Sequence, residues 1–213
     1  MDLSWQLLLT VPPILIALTL HEYAHAWVAT KCGDPTARLQ GRLTLNPLAH
    51  LDPIGTLLLF IARFGWAKPV PVDPRNFSHP RRDLVLVAVA GPMINLVLAL
   101  GFGVMYRILQ HQFFMDGWVI AFIESMTAYS VMINLVLAFF NLLPIPPLDG
   151  SKILSVILPQ TVLPAYQRLE RVGPFILLGL IVLGNYFNVA VIWALIGPLV
   201  RFFSNLFAGV DLS

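Results

Sequence analysis

Charge is what this sequence has least of. Of its 213 residues only 11% are Asp, Glu, Lys or Arg, against 58% hydrophobic; a soluble domain usually carries about 25% charged residues. Water is therefore not the expected solvent for most of the chain. Cysteine is nearly absent: Cys32 stands alone, which excludes an intramolecular disulfide and any cysteine-based zinc knuckle. No basic stripe with interleaved aromatics occurs, so nucleic-acid binding has no support. Lys and Arg are missing before residue 31, and no small-residue cleavage site follows the first apolar run. That run is expected to stay as a membrane segment and not to be removed as a signal peptide.

What the sequence has is long apolar stretches, punctuated by 14 glycines and 17 prolines, residues that membrane helices tolerate when neighbours re-satisfy the freed backbone. Residues 5–30 form the first stretch, with Pro12-Pro13 expected to kink or divide it. Gly33-Asp34-Pro35 signals a turn, and the alternation over Arg38–Leu45 predicts a short strand. Residues 53–66 are apolar but short for a span, and the prolines of 67–82 bias that segment to extended geometry. Two long spans are expected at about 83–107 and 117–142, joined by a polar turn around His111 and Asp116. The second runs into Pro144-Ile145-Pro146-Pro147, which no regular helix survives. A short helix near 151–158 and one or two spans within 172–207 follow. The expected fold is an all-α polytopic membrane protein of about four to six transmembrane helices, with a re-entrant or β-like segment after the first span. It forms one membrane-embedded domain over 1–213, with a core at about 5–160.

The chemistry concentrates in His21-Glu22-Tyr23-Ala24-His25. Positions four apart share a helix face, so both imidazoles can reach one metal ion, and Glu22 beside them can take a proton from a water that the metal acidifies. Ionisable residues deep in a bilayer cost roughly 2.5–3.5 kcal/mol each on insertion scales. Such a cluster inside an apolar segment therefore points to a site and not to a solvated face. Catalytic zinc generally takes three protein ligands. The candidates for the third are Glu124, Asp149, His50, Asp52, His79 and His111. Asp149 is favoured because it follows a broken helix end, where irregular backbone is tolerated only beside protein or a water-filled cavity. His and carboxylate ligands suit zinc and other first-row metals.

Together with Asn141-Leu142-Leu143-Pro144-Ile145-Pro146-Pro147-Leu148-Asp149-Gly150, the His21–His25 motif resembles the site-2 protease family of intramembrane zinc metalloproteases. Gly91-Pro92-Met93-Ile94-Asn95 resembles a further landmark of that family. The resemblance covers about residues 5–160 and is greatest to the small bacterial and archaeal members that have neither a PDZ domain nor CBS domains. It implies one zinc per chain held by His21, His25 and Asp149, Glu22 as general base, and Asn95 and Asn141 near substrate backbone or the oxyanion. It implies a transmembrane or membrane-associated protein substrate in a lipid bilayer. It also implies that an edge at Gly65–Lys68 or Arg38–Leu45 pairs with extended substrate. A membrane metal transporter or sensor using the same ligands is the competing class.

Charge placement bears on topology. Residues 31–82 hold eight basic side chains: Lys31, Arg38, Arg42, Arg63, Lys68, Arg75, Arg81 and Arg82. By the positive-inside rule this places the end of the first span, and the metal site with it, towards the cytosol; the resemblance implies a prokaryotic cell membrane. Asp149 reaches the same side as the histidines only if 53–66 dips in and returns. With an even return through 172–207, all basic residues except Arg107 lie inside.

Overall fold

The computed structural model describes residues 3–62, 65–110, 117–187 and 191–212. The chain folds as helices α1 (Leu3–Lys31), α2 (Thr36–Leu39), α3 (Pro53–Ala62), α4 (Pro80–Gln110), α5 (Trp118–Asn141), α6 (Asp149–Ile157), α7 (Leu163–Phe187) and α8 (Val191–Ala208). Among the described residues four helical segments are long and apolar enough to cross a membrane: Leu7–Lys31, Pro80–Gln110, Trp118–Asn141 and Val191–Ala208. The protein is an all-α, multi-pass membrane protein. His111 and Asp116 lie outside the described residues.

α1, α4 and α5 pack on one another, α8 lies against α4 and α5, and α6 docks on α4. Lipid tails are as apolar as Leu, so such helices associate through close packing and interhelical hydrogen bonds. Both devices are present. Buried Ala99, Val131, Leu135, Ile196 and Val200 form the α4–α5–α8 seam. At Gly103 a Cβ would lie 2.8 Å from the backbone carbon of Phe207, so α4 and α8 meet there only because the side chain is missing. The hydrogen bonds centre on Asn95 and Asn134, both fully buried.

Two helix ends follow from local sequence. α4 opens with Pro80, and Asp83 reaches back to accept the His79 N–H at 2.8 Å, which satisfies a donor the helix cannot. Of the kink or division expected at Pro12-Pro13, α1 shows no division: it runs unbroken through both, with Pro13 fully buried against its neighbours.

Three expectations between 31 and 82 resolve differently. Arg38–Leu45 is not a strand. α2 and its closing turn occupy it, with Gly41 N–H bonded to the Arg38 carbonyl, Arg42 N–H to the Ala37 carbonyl, and Gly41 at φ +69°. The apparent alternation mixes a helical turn with a buried arginine. The helix within 53–66 is too short to span: α3 has ten residues, about 15 Å of rise, half a hydrocarbon core. Its two ends meet, since Leu51 bridges Ala67 antiparallel and the Lys68 N–H bonds to the His50 carbonyl at 2.8 Å. The extended edge near 65–68 is thus that isolated bridge, with no longer strand among the described residues.

An even return through 172–207 is overturned. The Arg107 guanidinium donates to the Asn205 and Leu206 carbonyls at 3.3 and 2.5 Å. The end of α8 therefore shares a side with the end of α4, opposite the side where α5 ends.

Candidate metal centre

Helical spacing puts His21 and His25 on one face of α1, aimed at α4 and the first turn of α6. Their Nε2 atoms lie 3.0 Å apart, and Asp149 Oδ2 lies 3.2 Å from the first and 3.1 Å from the second. All three side chains are buried. They are the one group of three or more metal-ligating side chains among the described residues.

The outer nitrogens decide what the inner ones can do. His25 Nδ1 faces the Val87 carbonyl at 2.7 Å; a carbonyl only accepts, so Nδ1 carries the hydrogen. His21 Nδ1 faces Asn95 Oδ1 at 2.6 Å. The Asn95 amide cannot be turned round, because its nitrogen donates to the Ala17 carbonyl at 3.2 Å and to Asn134 Oδ1 at 2.8 Å. Asn134 is fixed in turn by donating to the Ser130 carbonyl at 2.8 Å. In neutral imidazoles both Nε2 atoms are then lone-pair acceptors, facing each other and a carboxylate oxygen. Three electron-pair donors directed at one another are satisfied by a proton or by a metal ion between them. Zinc–ligand bonds of about 2.0–2.2 Å in a tetrahedron set ligand–ligand edges of about 3.3 Å, close to the spacing seen here. The donor set fits zinc, with carbonyl and amide partners behind each imidazole as metal-binding histidines require.

α4 makes room for this. A Cβ on Gly91 would sit 2.6 Å from His21 Nε2 and closer still to His25 Nε2. The sequence marks Gly91 within a motif but gives it no role; the reason is this close approach. Asn134 was not visible as a site residue at all. A buried Asn in an apolar helix reads as interhelical glue, and only the contact with Asn95 shows what it holds.

Of the other candidates for third ligand, Glu124 accepts from Gln110, His50 Nε2 donates to the Thr44 carbonyl, and Asp52 caps α3 through the Gly55 N–H. His79 stands at the start of α4. None of these four joins the histidines. Asn95 meets His21 and not an open cleft, while the Asn141 amide turns back to the Leu137 carbonyl of its own helix at 3.0 Å. Lys152 approaches the outer oxygen of Asp149 at 3.3 Å.

Glu22 is buried on the adjacent face of α1 and accepts the Val70 N–H at 3.1 Å. Nearby, the buried Arg42 guanidinium donates to the carbonyls of Lys68 and Pro69 at 2.5 and 3.0 Å. Burial lowers the Arg42 pKa, and the charge of Glu22 acts to raise it.

Comparison with known proteins identifies the family. The family model described as Peptidase family M50 matches residues 108–184. YwhC of Bacillus subtilis, named as a candidate zinc metalloprotease, is 42% identical over 203 residues, covering 91% of this chain and 90% of the relative. Rip2 of Mycobacterium tuberculosis, named in the same way, is 35% identical over 142 residues, 64% of this chain and 52% of that protein. Zinc metalloprotease MJ0392 of Methanocaldococcus jannaschii is 25% identical over 148 residues, 68% of this chain and 33% of that protein. No solved structure matches. With its motifs, its helices and a relative matched along nearly its whole length, this chain belongs to peptidase family M50, the site-2 protease family, and is a zinc metallopeptidase.

Proposed function

We propose that this metallopeptidase hydrolyses peptide bonds of membrane-embedded proteins within the bilayer, with Glu22 as general base and His21, His25 and Asp149 as zinc ligands. One observation carries the reading. His21 lies in the Leu7–Lys31 segment, ten residues, or about 15 Å of helix, from the Lys31 end, and its partners come from α4 and α6. The bond that is cut must come to that depth.

When bound, zinc supplies Lewis acidity, polarising the scissile carbonyl and making a water more acidic. The chain does the rest. Glu22 holds one carboxylate oxygen on the Val70 N–H and takes the water's proton on the other, then delivers it to the leaving amine. Asn95 and the Val87 carbonyl hold the imidazoles in the tautomer that leaves Nε2 free. The eight basic residues of 31–82 support a cytosolic placement of this end of α1. A substrate helix must unwind before its carbonyls are accessible, since a regular helix ties them into internal bonds.

The test is zinc content and proteolysis of Glu22→Gln beside the wild type, with a single-span reporter whose apolar segment is either regular or interrupted by Gly-Pro. The variant is expected to keep zinc and lose cleavage, and the interrupted reporter is expected to be cut faster. Unchanged cleavage by Glu22→Gln ends the general-base assignment. A metal transporter would keep its transport in that variant.

A further inference from the structure

We infer that Arg42 and the main chain of Lys68–Val70 are a positioning device for Glu22. The guanidinium clamps the segment, and the segment presents the Val70 N–H that orients the carboxylate. The inference rests on the reading of Glu22 as general base.

Four observations converge on it. First, Val70 is flanked by Pro69 and Pro71, which carry no N–H. Its amide is thus the only main-chain donor in that tripeptide, and it is spent on Glu22 at 3.1 Å. Pro71 also restricts Val70 to extended geometry. Second, the clamp is built from a buried cation: Arg42 reaches the Lys68 and Pro69 carbonyls with separate nitrogens, at 2.5 and 3.0 Å. A buried arginine is costly unless it is paired, and here its partners are carbonyls that precede the donor amide. Third, the segment is tied at its other end. The Lys68 N–H bonds to the His50 carbonyl and Ala67 bridges Leu51. His50 is fully buried with its ring on the Thr44 carbonyl and 3.5 Å from Arg42. Fourth, the carboxylate so held lies next to His21 in sequence but takes no part in the metal cluster, so its direction is set from the loop side.

Glu22 has three side-chain torsions and would otherwise lose entropy each time it aligned with a water. Fixing one oxygen on a rigid main-chain donor leaves the other in a constant direction, the kind of preorganisation on which effective molarity depends. The loop following the re-entrant helix thereby becomes part of the catalytic geometry without touching the reacting atoms.

The experiment uses the zinc-loaded protein in detergent with fluorescein-labelled casein, an unfolded chain whose carbonyls are already accessible. Val70→Pro deletes the donor and keeps extended geometry; Val70→Ala keeps the donor. The expected result is a kcat for Val70→Pro at least about tenfold below that of Val70→Ala, with KM within about twofold and zinc content unchanged. Arg42→Ala should show the same split, and Arg42→Lys should recover part of the loss. Hydrogen exchange of the Val70 amide should accelerate in Glu22→Ala and Arg42→Ala, a readout that needs no turnover and holds even where Val70→Pro fails to fold. Equal kcat for the two Val70 variants, a loss carried by KM, or a Val70 amide that exchanges freely in the wild type would each overturn the inference. Active Glu22→Gln would instead sink the base assignment itself; inactive Glu22→Gln with equal Val70 variants sinks only the positioning role.

Discussion

Two carboxylates are buried near the same end of α1, and they could hardly be used more differently. Asp34, with no exposed surface, meets only donors: the Thr36 N–H and hydroxyl, the Asn76 amide and the Asp73 N–H, at 2.5–3.0 Å. Its charge is met where it stands, and it ties the turn after α1 to the segment before α4. Asp149 points its inner oxygen at two imidazole nitrogens whose hydrogens are already committed elsewhere. Lys152 meets its outer oxygen at 3.3 Å, and the inner one is left for a cation. Burial alone therefore does not mark a site. The chemical type of the partners does, and it separates a structural carboxylate from a candidate ligand.

The sharpest way to break that contrast is to remove each carboxylate in turn. Asp149→Ala is expected to lose bound zinc and all proteolysis, whereas Asp34→Ala keeps one zinc per chain; metal analysis of the purified variants decides. Nearly as large is the effect expected of Gly91→Ala. A methyl group there occupies the space of the two imidazole edges, so zinc should be lost even though no ligand has changed. Retained zinc in Gly91→Ala would show that α4 can move away. A third variant reaches the ligands at one remove. Asn134→Ala frees the Asn95 amide that holds His21, and competition with a chelator should show zinc affinity about 10–100-fold weaker.

How much of this was legible beforehand differs along the chain in the same way. His21, Glu22 and His25 are close in sequence, and the helix period alone puts the histidines together. Asp149 could be singled out because three prolines break the chain just before it. Gly91 and Asn134 carry no such local mark: their roles arise only where α4 packs on α1 and α5, and no single-segment pattern encodes a packing distance. The misread strand at Arg38–Leu45 has a related origin. Arg42 sits in an apparent polar–apolar alternation, yet it is buried, because its partners are carbonyls some 26 positions away.

The smaller effects belong to the structural carboxylate. Asp34→Asn turns an amide nitrogen towards groups that also donate, and about 1–3 kcal/mol of stability should go with zinc content unchanged, as thermal unfolding of the zinc-loaded protein would show. The mildest perturbation is pH. Burial pushes the Asp34 carboxyl up, but the hydrogen bonds from Thr36, Asn76 and the Asp73 and Thr36 amides outweigh it and hold it below the ordinary range. A depressed folded-state pKa gives a contribution fully present above the unfolded value of about 3.9 and lost as pH falls through the lower folded one. Amide exchange at Asp73 should accelerate over that acidic window in the wild type and show no such step in Asp34→Asn.

The Asn95 side chain touches three helices at once: the Ala17 carbonyl and His21 of α1, its own α4, and Asn134 of α5. With zinc on His21 as proposed, thermodynamic reciprocity would bind the ion to the assembly. Whatever zinc contributes to holding α5 against its neighbours, a polypeptide that wedges α5 outward must subtract from the grip on zinc. A lateral intruder in the bilayer would thus be registered at the reaction centre before any of its own atoms arrived there.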